Sequence, residues 1–220
     1  MIRSLLTAGI AAITIAGAQA SAAPVFFEGF ENPDIGQRWN VYDGFGQFVT
    51  TEGMGIEVQR SGTVVAAYEG NQYIELDSDN QVSPYGDARG SNTSMAALVD
   101  LVAGQRYEVN FAYRPRTNTI DDNGISVAIG SLAGRSFTMS QSLGDVDARR
   151  SDQNAWRVVT MVFTALTGDN AVQFAAFGRE NELGGFIDAV EIEAVPLPAG
   201  ALLFATGGLI FARRRRAAAA

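Results

Sequence analysis

The chain has no cysteine and no histidine, and all 16 of its basic residues are arginine. Without cysteine there are no disulfides, so an exported domain must hold together through its core, its hydrogen bonds or a bound metal. Losing both thiol and imidazole removes most zinc and transition-metal sites, Ser-His-Asp triads and Cys-His dyads. Catalysis, if present, falls to carboxylates, tyrosine or arginine. The chain also lacks a convincing long amphipathic helix and any internal repeat. These absences leave a β-rich domain that works with carboxylates, guanidinium groups and aromatic rings.

What is present is plainest at the two ends. Arg3 opens a short positive region, residues 5–17 form an apolar core, and Ala18-Gln19-Ala20 and Ala20-Ser21-Ala22 offer cleavage sites. Residues 1–22 are therefore expected to be a signal peptide handled by the Sec export machinery, with the mature chain starting at Ser21 or Ala23. At the other end stand Val195, Pro196, Leu197, Pro198 and Ala199, an apolar run to residue 212, and Arg213, Arg214, Arg215 and Arg216. The run falls short of the roughly 20 residues a spanning helix needs, and the arginines would hold its end at the cytoplasmic face. A transient membrane stop fits this better than a permanent anchor. This tail, residues 195–220, resembles the VPLPA variety of the PEP-CTERM sorting signals. The resemblance implies an exosortase-type enzyme as partner. It also implies a destination at the cell surface or extracellular matrix of a Gram-negative bacterium.

The body, residues 23–194, has the size of one domain. It carries all 24 acidic residues and 11 of the arginines, a net charge of −13. Such a domain is repelled by nucleic acid and by anionic membrane surfaces, while its carboxylates suit divalent cations. Period-two alternation is clear at 55–60, 73–77, 106–113 and 186–194. Strands are also expected at 25–30, 39–42, 45–51, 95–102, 125–129, 156–163 and 172–177, and a polar loop over 140–154. About ten short strands at regular spacing predict an all-β, antiparallel two-sheet sandwich, with a closed barrel as the lesser alternative. A helix is expected in the signal segment and another in the sorting tail.

Phe27-Glu28-Gly29-Phe30-Glu31 with Trp39, then 55–59, 70–77, 104–116 and Gly185-Phe186-Ile187-Asp188-Ala189-Val190, are similar in order to galactose-binding-like jelly rolls. The DUF642 type is nearest. The plant-type members carry cysteines, and this chain has none. The resemblance implies a jelly roll of eight to ten strands that binds carbohydrate without cleaving it. It also implies a calcium ion held by Glu31 and Asp188 where the first and last strands run together, with loop carbonyls completing the shell. The alternative is that Asp188 accepts backbone amides and Glu31 is solvated. Asp77-Ser78-Asp79-Asn80 fails the EF-hand pattern, because Gln81 and Val82 occupy its third ligand and glycine positions.

Sugars are held by rings stacked on their C–H faces and by planar polar side chains at their hydroxyls. Tyr42, Phe45, Tyr68, Tyr85, Tyr113, Arg114 and Arg116 are the loop-proximal candidates, and Tyr113-Arg114-Pro115-Arg116 is the best of them. Extracellular polysaccharide is the expected partner. Trp39 and Trp156 are expected in the core. Glu57 and Glu75 sit in alternating strands that could present them on one face as a carboxylate pair. No further signal favours catalysis, and the chain is expected not to be an enzyme.

Overall fold

The computed structural model describes residues 23–79, 90–150 and 155–196. The expected signal peptide, Tyr85 and the sorting signal from Leu197 onward lie outside the described residues. Residues Ala22–Val195 form one compact unit.

Thirteen strands among the described residues build two antiparallel sheets. The seven-stranded sheet runs β11 (Arg157–Thr164), β8 (Arg106–Arg114), β13 (Phe186–Ala194), β6 (Gln72–Glu75), β5 (Ile56–Arg60), β2 (Trp39–Tyr42). Beside it, β1 (Phe26–Glu28) pairs with the far half of β13. The six-stranded sheet runs β10 (Ser136–Val146), β9 (Gly124–Ala133), β12 (Ala171–Phe177), β7 (Ser94–Leu98), β4 (Phe48–Glu52), β3 (Gly44–Phe45). From β6 to β13 the chain passes repeatedly between sheets, as a jelly roll does.

Alternation explains which face is which. Ile56, Val58, Ile74, Val109, Phe111, Ile187 and Ile192 project from the larger sheet into the interior. There they meet Phe48, Met95, Val127, Ile129, Val172 and Phe174 of the smaller one. Each such side chain contributes about 1.5–3 kcal/mol through burial. The odd partners of β5 and β6, Glu57, Gln59, Tyr73 and Glu75, point the other way. They too are buried, because loops pack over this outer face.

Three expectations need correction. Residues 140–146 of the expected loop belong to β10, an edge strand whose side chains are mostly exposed, so it carries no apolar alternation. Trp39 and Trp156 lie outside the inter-sheet core. Trp39 is half-buried on β2 in the parity of Val41, opposite Gln59. Trp156 is half-buried over Tyr73 and Phe186, with ring centroids 5.8 and 6.4 Å away, and its indole N–H donates to Ala66 O at 2.8 Å.

Candidate functional site

The outer face of the larger sheet carries the most developed polar cluster among the described residues. Glu57 and Glu75 are opposite one another across β5 and β6, with 4% and 0% exposure. Gln59 lies between them and donates its amide to Glu57 Oε1 at 2.8 Å and Glu75 Oε2 at 2.6 Å. Its own oxygen accepts the Tyr73 hydroxyl at 2.8 Å. That hydroxyl in turn accepts the amides of Val64 and Val65, which pins the β5–β6 loop over the sheet. From the opposite side Arg116 Nη1 donates to both Glu75 oxygens, at 2.8 and 2.6 Å, and to Glu182 O at 2.9 Å. Gly184 N adds a bond to Glu75 Oε1 at 2.6 Å, and Asp79 N one to Glu57 Oε2 at 2.7 Å. Burial pushes the Glu75 carboxyl well above the usual range, helped by the Glu57 charge and opposed by Arg116. Burial likewise raises Glu57.

Beside this cluster opens a cavity of about 360 Å³. Trp39, Val64 and Leu183 supply its apolar surface. Arg38, Arg116 and Asn181 supply planar donors, and Glu57, Asp79 and Glu182 supply acceptors. A larger groove of about 590 Å³ near β10 and β11 is lined by Asp145, Arg149, Arg157, Met161 and Phe177 among others, without a comparable buried network behind it.

The residues singled out in the sequence separate. Arg116 borders the cavity, and Glu57 and Glu75 share one face as alternation allowed, although buried rather than solvated. Tyr113 is fully buried on the core face, donates its hydroxyl to Asn123 O at 2.8 Å, and lies under the Arg157 guanidinium at 5.1 Å. It is not available to a ligand. Arg114 is half-buried at the end of β8. Tyr42 is half-buried against the core, 5.2 Å from the Phe45 ring, and presents no stacking platform. Tyr68 is 47% exposed and packs edge-on to Trp156. Trp39, Arg38 and Asn181 were missed. The signals for Trp39 were its place in the motif that follows Glu31 and at a strand start beside a polar turn.

Glu31 and Asp188 both attach to the segment 68–72. Asp188 Oδ2 accepts Tyr68 N at 2.9 Å and Glu69 N at 3.1 Å, and Oδ1 accepts Ala189 N at 2.7 Å. Glu31 Oε1 accepts Asn71 N and Gln72 N, both at 2.8 Å. Calcium asks for a shell of oxygens, whereas the atoms turned toward these carboxylates are N–H donors. Among the described residues no three acidic side chains converge as a metal site. Burial pushes the Asp188 carboxyl up to about 7, against the pull of the three amides.

No protein-family model matches the chain. A multifunctional-autoprocessing repeats-in-toxin protein of Vibrio vulnificus is 28% identical over 139 residues, which is 62% of this chain. The chain spans about 2% of that protein's length. Among solved structures, the K1 cleaved adhesin domain of Lys-gingipain from Porphyromonas gingivalis is similar at a TM-score of 0.50 and 19% identity, over 78% of this chain and 98% of that one. A cyclase from Fischerella is similar at 0.50 and 16% identity, over 78% and 96%. The chain shares their fold. The CBM22-1 xylan-binding domain from Paenibacillus barcinonensis is more distant, at a TM-score of 0.45 and 11% identity, over 82% of this chain and all of that one. Among the described residues no helix is long and apolar enough to cross a membrane.

Proposed function

We propose that this is an exported protein whose sandwich binds extracellular carbohydrate, without cleaving it, in the cavity beside Trp39. One observation carries the reading. An aromatic surface stands next to several planar polar side chains whose geometry is fixed by buried hydrogen bonds, which is the combination a polyhydroxylated ring requires. The jelly-roll fold supports it, and so does the name of the gingipain neighbour, an adhesin domain. Both carboxylates of the pair are held in structural bonds, which argues against the hydrolase reading. The signal-like start and the VPLPA tail would take the chain through the Sec machinery to an exosortase-type enzyme. That route leads to a cell surface or polysaccharide matrix.

Calorimetry of the purified chain against the producing cell's polysaccharide tests this. Saturable binding is expected, weakened about tenfold or more by Trp39→Ala, with no reducing ends released. A folded chain that binds no glycan overturns the reading in favour of a structural matrix protein. Repeating the titration with chelator decides calcium. Lost binding reveals a required cation, and unchanged binding removes it.

A further inference from the structure

On the reading that this face binds glycans, the distribution of charge around the cavity narrows the ligand's chemistry. Glu57 and Glu75 are buried side by side, yet among the described residues a single guanidinium, Arg116, is bonded to the pair, and it is bonded to Glu75. Among the described residues Glu57 receives hydrogen bonds from two neutral donors, the Gln59 amide and the Asp79 N–H. Glu57 nevertheless borders the cavity, with Asp79 and Glu182 along the same wall. Among the described residues Arg38 is the other cation there, and it reaches toward Thr63 O at the exposed rim. A buried carboxylate without a countercharge is unfavourable, and it either takes a proton or attracts a cation. Trp39, on the neighbouring strand, offers a ring face that attracts both sugar C–H groups and cations.

We propose that the cavity recognises a sugar bearing a protonated amine, with the ammonium seated on Glu57 and the ring against Trp39. The incoming cation supplies the charge that Arg116 gives to Glu75. It allows Glu57 to stay ionised when bound. The groups facing Glu57 are Glu75 behind it, Arg116 above Glu75, and Asp79, Glu182 and Arg38 around the cavity. Among the described residues the carboxylates outnumber the guanidinium groups, so uronic or sulfated sugars are disfavoured here. The body's net charge of −13 repels them as well.

The test titrates the purified chain with a glucosamine oligomer, its N-acetylated counterpart, a neutral oligomer of the same length, and a simple diamine. The glucosamine oligomer is expected to bind about tenfold tighter than the two uncharged ones, the range of one charge-assisted hydrogen bond. Glu57→Gln, which keeps shape and an acceptor for Asp79 N, is expected to erase that advantage, so that charged and uncharged oligomers bind alike. Equal affinity for charged and uncharged oligomers overturns the amine while leaving the carbohydrate reading intact. No binding of any oligomer by a folded chain overturns both. A diamine that binds as tightly as the oligomer overturns a sugar-borne amine. Where Glu57→Gln does not fold, the salt dependence of binding by the unaltered chain replaces it. The advantage of the glucosamine oligomer is expected to shrink as salt is raised while the neutral oligomer's affinity holds, and an advantage indifferent to salt overturns the proposal.

Discussion

The Glu75 carboxylate is fully buried whereas Arg116 keeps 23% of its side chain in solvent, so removing each partner has a different consequence. Arg116→Met strands a buried charge and is expected to cost about 3 kcal/mol or more, lowering Tm by roughly 6–12 °C in calorimetry. Adding Glu75→Gln to that variant is expected to restore much of the loss. If the double variant is no more stable than the single one, the damage comes from lost packing rather than stranded charge. At this scale the sequence was partly legible. Alternation put Glu57 and Glu75 on one face, and the Tyr113-Arg114-Pro115-Arg116 stretch pointed to Arg116. The same alternation also disqualified Tyr113, which shares the parity of Tyr107, Val109 and Phe111, all inward. Nothing local distinguished Trp39 from Tyr42, because in a four-residue strand with an aromatic at each end either face can be the core.

Among the elements, β13 is the most consequential. It pairs with β6 through Phe186 and Ile187 and with β1 through Val190, Glu191 and Ile192, changing partner at Asp188 and Ala189. Its register with β8 shifts at the same place, and Ala189 takes φ of 47°, a conformation that suits glycine. Ala189→Gly is expected to stabilise the fold by about 0.5–1 kcal/mol, read as a higher denaturant midpoint with unchanged slope. A lower midpoint would mean the methyl group packs usefully. In the other sheet, a Cβ on Gly130 would strike the Thr138 carbonyl of β10. Gly130→Ala is expected to cost about 1–3 kcal/mol and to speed amide exchange along β10 first. The strands with one face inward were readable from their period. β10 was not, since a polar edge strand with exposed side chains has no burial pattern to reveal it, and the exchange of partners along β13 leaves no mark in composition.

For the whole molecule, buried carboxylates and surplus negative charge act in the same direction. Asp188 is raised to about 7, and burial also raises Glu57, Glu75 and Asp77. A carboxylate whose folded pKa exceeds its unfolded value, about 3.9 for Asp, binds protons more readily when folded, so unfolding releases them. For Asp188 that contribution is therefore full below about pH 4 and is lost as pH rises through about 7. The net charge of −13 adds repulsion that also eases as acid groups protonate. The denaturant midpoint is expected to be higher at about pH 5 than at about pH 8. In Asp188→Asn that gain should shrink. A midpoint that rises with pH would contradict the assignment of these carboxylates as buried proton holders. The charge total was legible from the sequence. The burial that converts it into a pH dependence was not, because it depends on loops folding over the outer face.

The place of β13 between β8 and the β6–β1 edge also bears on the order in which the molecule is made. A chain released N-terminus first can pair β6 with β5 and β2, but the larger sheet stays in two pieces until the last strand arrives. Folding is then necessarily late, after nearly the whole body has emerged. If the chain is exported unfolded, as proposed, that delay keeps it threadable, and β13 is the latch that closes the sandwich afterwards.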